Sequence, residues 1–140
     1  MARKRGPMPF IEGLEITTLA AEGKAMGHYD GMVVFVPMTV PGDVVDVQIK
    51  AKKRRFMEGT VVNFVKRSEL RCEPVCEHFG VCGGCKWQNL PYSEQLNQKT
   101  SQVRDQLVRI GKLDIPEVKP CLGSAKQLYY RNKLEFTFAD

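Results

Sequence analysis

From Leu14 to Ser68 the chain alternates short runs rich in Val, Ile, Phe and Thr with turn-forming residues. The runs read LEITTLAAEG, GHYDGMVVFVPMTV, PGDVVDVQIKAKKRRF and EGTVVNFVKRS, and Asp30-Gly31, Pro41-Gly42-Asp43 and Glu58-Gly59 punctuate them. In DVVDVQIKA the apolar Val45, Val47 and Ile49 alternate with the mostly polar set Val44, Asp46, Gln48 and Lys50, which gives one core face and one wet face. The pattern predicts a mainly β fold: a small, OB-like antiparallel barrel of about five strands. A domain of about 60 residues buries a modest core, so docking onto a downstream segment would stabilise it.

Past the barrel the pattern changes. Residues 72–85 show no periodicity. PYSEQLNQKTSQVRDQLVRIG, 91–111, reads as one helix, with Ser93 as N-cap, Gly111 as stop, and Leu96, Thr100, Val103, Leu107 and Ile110 on one stripe. In the last stretch Leu134, Phe136 and Phe138 alternate with Lys133, Glu135 and Thr137 as a strand with no following partner. A lone strand of this kind suggests the opening piece of a larger protein, and its uncovered Phe136 and Phe138 face predicts self-association.

Composition narrows the class. The chain is 43% hydrophobic and 26% charged, an ordinary globular balance. Lys and Arg number 21 against 16 Asp and Glu, a net charge of +5, which favours an anionic partner such as nucleic acid. The longest apolar run, MVVFVPMTV, is broken by Pro37 and far shorter than the roughly 20 residues that cross a bilayer. The basic start, MARKRGPMPF, lacks the apolar segment of a secretory signal. A cytoplasmic protein with no membrane partner is expected, and in that reducing compartment five cysteines point to metal ligands or core residues rather than disulfides.

Cys76, Cys82 and Cys85 stand at C-x5-C-x2-C in CEHFGVCGGC. A two-residue spacer returns the second thiolate to the same centre, and Gly83 and Gly84 permit left-handed dihedrals there. The spacing is close to the three-ligand loop of plant-type ferredoxins, which need one remote cysteine more. Adding Cys72 gives four local thiols able to close a tetrahedral zinc site. Spacing leaves iron–sulfur and zinc both open. His78 reads as a loop histidine and Cys121 as a small buried hydrophobe.

KAKKRRF, 50–56, carries Lys50, Lys52, Lys53, Arg54 and Arg55 with an aromatic; Lys66, Arg67 and Arg71 follow the next strand. If those two strands pair as a hairpin, the clusters could share an RNA-binding surface, with Phe56 and Tyr29 as candidate stackers.

Three segments in order carry a family resemblance. AAEGKAMGHYDGMVVFVPMTVPGDVVDVQI resembles the TRAM domain, CEHFGVCGGCKWQNLPYSEQLNQK resembles a cluster segment, and YYRNKLEFTF resembles the strand opening a central domain, all of the bacterial 23S rRNA (uracil-5-)-methyltransferases. The resemblance implies a basic arm at 1–12, a TRAM barrel at 13–70, a cysteine-rich iron–sulfur segment at 71–90 and the start of a central α/β domain at 91–140. It implies that Cys76, Cys82 and Cys85 are three ligands of a [4Fe–4S] cluster. The fourth ligand in the family lies beyond the matching strand, so Cys72 substitutes or the site stays incomplete or takes zinc. It further implies 23S rRNA as partner and S-adenosylmethionine as cofactor of the parent enzyme. No glycine-rich cofactor loop is present and no residue here is assigned as the catalytic nucleophile, so this stretch is expected to have no methyltransferase activity by itself. The contrasting class is a stand-alone zinc-binding or iron–sulfur redox module.

Overall fold

The structure is a computed structural model and describes residues 7–20 and 23–130. Five strands form a closed barrel: β1 (Phe10–Leu19), β2 (Ala25–Tyr29), β3 (Met32–Val36), β4 (Val44–Lys52) and β5 (Phe56–Lys66). Around the barrel the order is β1-β2-β3-β5-β4, with β4 returning to β1. Four of the pairings are antiparallel, as the sequence pattern suggested, but β3 and β5 run parallel, Val33 opposite Phe56 and Phe35 opposite Glu58. The intervening β4 turns back on β5 as a hairpin and so delivers β5 to β3 in the same direction.

The alternation in β4 sorts as its period requires. Val45, Val47 and Ile49 are fully buried, and they meet Ile11, Leu14 and Ile16 from β1, Val34 and Val36 from β3, and Met57 from β5. β1 begins at Phe10, so residues 10–12 belong to the barrel rather than to the arm. It bends at a bulge between Ile11 and Leu14, where Gly13 adopts φ +63° and its N–H donates to Asp46 Oδ1 at 2.9 Å. Glu58-Gly59 is not a turn. Gly59 lies inside β5, where a Cβ would collide with Val47 and come within 3.0 Å of the Gln48 carbonyl, so the glycine permits close approach of two strands. The reversal falls instead at Lys53–Arg55, closed by Lys53 N–H donating to the Phe56 carbonyl at 2.9 Å.

Beyond the barrel, residues 67–91 carry no helix or strand and lead to α1 (Tyr92–Asp105), whose last turn widens to a π-helical segment at Gln106–Ile110 before Gly111. The N-cap is Pro91, and Ser93 lies within the first turn; no side chain caps the helix start. The apolar stripe is only partly covered: Leu96, Thr100 and Leu107 are half-buried, while Val103 and Ile110 are exposed. Polar contacts do much of the docking. Gln102 Nε2 donates to the Leu19 and Ala20 carbonyls at 3.2 and 3.1 Å, and Gln95 Nε2 to those of Trp87 and Leu90 at 3.0 and 2.8 Å. An extended segment then runs back along α1, with Cys121 N–H bonded to Thr100 Oγ1 and Ser124 N–H to the Tyr92 hydroxyl. Cys121 is exposed rather than buried, because this segment lies on the helix surface. The strand expected at 133–138, with Phe136 and Phe138, lies outside the described residues.

Overpacking at the β4–β5 crossing gives a direct test of the barrel. Gly59→Ala should destabilise the chain by about 1–3 kcal/mol, read as a lower urea midpoint at unchanged slope; an unchanged midpoint would mean that the strands are not this close.

Candidate nucleic-acid interface and cysteine loop

β4 and β5 do pair as a hairpin, with Lys52 opposite Met57 at its tip and Val44 opposite Lys66 at its base. Lys50, Lys52, Lys53, Arg54 and Arg55 are therefore concentrated at the tip, all five exposed. None has an ion-pair partner among the described residues. Lys66 and Arg67 emerge at the other end of β5, roughly 30 Å along the strand at its usual rise per residue. The hairpin thus puts the two basic clusters at opposite ends of the barrel. The β2–β3 turn, which follows the exposed Tyr29 at the end of β2, lies at the same end as the tip, because Tyr29 opposes Met32 and Val33 opposes Phe56. Phe56 is half-buried against Phe35.

Arg71 serves a different purpose from its neighbours. Its Nη2 lies 2.6 Å from Asp43 Oδ2 and its Nε 2.9 Å from Oδ1, a two-pronged pair on a carboxylate that is completely buried. Asp43 also accepts the Val40 N–H at 2.8 Å and the Ser68 N–H at 2.9 Å. Arg71 Nη2 donates further to the Met38 carbonyl at 3.1 Å, and the guanidinium lies over Phe64, which Arg67 shares. Burial alone would raise the Asp43 pKa. The Arg71 hydrogen bond, the Ser68 and Val40 amides and the Arg71 charge outweigh it and hold the carboxyl below its ordinary value. The sequence signal was present in Pro41-Gly42-Asp43, but it read only as a turn; nothing local marks Arg71 as the partner of a residue 28 positions earlier.

The cysteine loop leaves directly from this pair. Cys72 N–H donates to the Asn89 carbonyl at 3.1 Å, Cys72 Sγ lies 3.4 Å from the Gln88 carbonyl, and Gln88 Oε1 accepts the Cys76 N–H at 3.1 Å. Asn89 Nδ2 reaches the Met38 carbonyl at 3.4 Å, and Leu90 is buried in the barrel core. The loop is therefore tied at both ends while its middle is open. Cys76, Cys82 and Cys85 are exposed and Cys72 is half-buried. Within it, Phe79 N–H bonds the Cys76 carbonyl, and the Val81 and Cys82 N–H groups share that of His78. Gly80 and Gly83 take φ +89° and +73°; Gly84 does not need a left-handed conformation. His78 is exposed, 3.5 Å from the Glu77 carboxylate. The donor set has the chemistry of a soft-metal site, three accessible thiols on one glycine-bearing loop. Among the described residues, however, no three Cys, His, Asp or Glu side chains converge on a point that could hold a metal.

The comparisons with known proteins bear on the barrel first. The TRAM domain profile matches residues 13–62. Those residues are a TRAM domain. An uncharacterized RNA methyltransferase of Bacteroides thetaiotaomicron is 58% identical over 122 residues, 87% of this chain and 27% of that protein. The 23S rRNA (uracil(1939)-C(5))-methyltransferase RlmD of Francisella tularensis is 38% identical over 137 residues, 95% of this chain and 30% of that protein. A crystal structure of the Pyrococcus abyssi tRNA (uracil-54, C5)-methyltransferase with S-adenosyl-L-homocysteine matches 74% of this chain and 22% of that one, at 27% identity and a TM-score of 0.44. The chain is similar to these RNA methyltransferases and spans a little over a quarter of the length of these curated relatives. Among the described residues no helix is long and apolar enough to cross a membrane.

The Asp43–Arg71 pair makes a signed pH prediction. Because the folded-state pKa lies below the unfolded one, this stabilisation is complete above the unfolded carboxylate value of about 3.9 and is lost as pH falls through the folded value. Asp43→Asn should cost about 3–5 kcal/mol at pH 7 and flatten the fall in stability below pH 4, measured by urea titration across that range. A variant with wild-type stability at pH 7 would remove the pair from the fold's energetics.

Proposed function

We propose that this chain is the RNA-binding, substrate-positioning region of an S-adenosylmethionine-dependent 23S rRNA uracil-C5 methyltransferase that works in the cytoplasm. The observation that carries this reading is the TRAM barrel with five exposed cations at one hairpin tip, none ion-paired among the described residues. Such a cluster neutralises phosphates and releases their counterions, which supplies affinity without sequence preference. A barrel of this size is a rigid mount: it fixes the angle at which a bound strand meets whatever is attached beyond α1. S-adenosylmethionine and the nucleophile belong to the remainder of such an enzyme, and neither Cys72 nor Cys121 is assigned a covalent role.

Cys76, Cys82 and Cys85 are the residues that would hold a [4Fe–4S] cluster, with Cys72 or a more distant cysteine as fourth ligand. Bound there, a cluster would supply a crosslink that fixes the loop, with no electron-transfer step implied. The supports are the ligand-like spacing, three accessible thiols, and loop ends already anchored to the barrel.

The RNA reading predicts that replacing Lys52, Lys53, Arg54 and Arg55 together with Gln weakens binding to a 23S rRNA fragment. The log–log salt dependence should flatten by about 0.7 for each lost single-strand contact, measured by fluorescence anisotropy at several salt concentrations. An unchanged slope would remove the tip from the interface. The cluster reading predicts a brown protein with iron and sulfide after anaerobic purification, and loss of both, with a lower melting temperature, in Cys82→Ser. Stoichiometric zinc without sulfide would favour the four-thiol module instead.

A further inference from the structure

The outer face of one part of the barrel departs from the polar exterior expected of a small antiparallel fold. Ala25 and Gly27 on β2, Val34 and Val36 on β3, and Met57 on β5 point into the core, so Met26, His28, Val33, Phe35 and Phe56 point outward. The register sets these five side by side: Met26 opposes Phe35, His28 opposes Val33, and Val33 opposes Phe56. On the neighbouring β4–β5 face the corresponding outward pairs are Gln48 with Thr60 and Asp46 with Asn63. The two phenyl rings meet edge to face, with centroids 5.6 Å apart and planes at 70°. Both rings are half-buried, and that geometry uses one face of one ring and the edge of the other, so the remaining exposed ring surface is not consumed by the pair. The cationic tip continues directly from Phe56 through Arg55, Arg54 and Lys53, and Glu58, opposite Phe35, is the carboxylate at the patch's edge.

We propose that Phe35 and Phe56, on the outer face of β3 and β5, form a stacking platform for unpaired bases of single-stranded RNA, with Lys52–Arg55 holding the adjoining phosphates. This rests on the RNA-binding reading above and narrows it in two respects. Aromatic faces beside a row of cations match a strand whose bases are unstacked and whose backbone lies to one side, whereas a duplex hides its base faces. The platform lies on the wall of the barrel at the tip end, with the exposed His28 and Tyr29 at the adjacent end of β2. Lys66 and Arg67, at the far end of β5, are outside it.

The test uses the whole chain and a short fluorescein-labelled oligouridine, single-stranded or annealed to its complement. Phe35→Leu and Phe56→Leu keep apolar volume and remove the ring. Each should weaken single-strand binding by about 5-fold or more with the salt slope unchanged and leave duplex binding unaltered, whereas Phe35→Tyr and Phe56→Tyr, which keep the ring, should bind as the wild type does. Independently of any variant, photocrosslinking of a 4-thiouridine oligonucleotide to the wild-type protein should map to Phe35, Phe56 or their neighbours. Salt-dependent binding by the wild type with no loss in the Leu variants, or crosslinks confined to other faces, would overturn the platform and leave the RNA-binding reading standing. No binding of either RNA by the wild type would overturn both. A dimer in light scattering that the Leu variants abolish would assign the patch to a second copy of the chain and overturn the proposal.

Discussion

The buried carboxylate of Asp43 is the point on which the remaining architecture turns. Four donors from three places converge on its two oxygens: the Val40 amide from its own loop, the Ser68 amide just past β5, and two nitrogens of Arg71. A bare carboxylate taken out of water costs several kcal/mol, which these donors offset. The backbone adds its own ties: Ile16 N–H donates to the Asp43 carbonyl, and Gly42 N–H to that of Ile16, which locks β1 to the same loop. Gly42 takes φ +88° there, and a Cβ on it would approach Ser68 Oγ to 2.8 Å. The exit of the barrel and its bottom loop are in effect one object.

That object decides where the cysteine loop starts and which end of the barrel bears it. Arg71 precedes Cys72, and its Nη2 shares the Met38 carbonyl with Asn89, so both ends of the loop are held within reach of one peptide group. The basic hairpin tip is at the opposite end, a full length of β5 away. The parallel β3–β5 pairing enforces this separation. It places the start of β5, and with it the tip, beside the β2–β3 turn, leaving only the finish of β5 near Asp43. An RNA held at the tip therefore does not lie on the thiols unless it runs the length of the barrel.

How far the sequence anticipates this depends on the range of each interaction. The core face of β4 is written in the period-two pattern of Val45, Val47 and Ile49, because alternation is a local property of a strand with one wet side. The TRAM assignment was legible for a related reason, since its turn and core residues recur within about 50 positions. The parallel closing pair was not, since partner choice between β3 and β5 is settled by the whole circuit of the barrel. Gly59 reads as punctuation in the sequence because a glycine that makes room for a neighbouring strand looks locally like one that makes a turn. Arg71 illustrates the limit most sharply: in sequence it is one more cation after Arg67, and in the fold it is spent on Asp43. The apolar stripe of α1 predicted an interface, yet Gln95 and Gln102 make its anchoring bonds through backbone carbonyls that no pattern displays.

The state of the thiols follows from the same anchoring. Closing a loop of this length from a free chain carries an entropic cost that grows with the logarithm of the number of residues. Here the bonds from Cys72 to Asn89 and from Cys76 to Gln88 have already met it, using barrel stability rather than metal affinity. A metal bound there would have to gather three exposed sulfurs across ten residues that contain Gly80, Gly83 and Gly84. With its ends anchored, the loop would gather such a ligand set around a metal rather than present it preformed, and the cost of that rearrangement would fall on the loop rather than on the barrel.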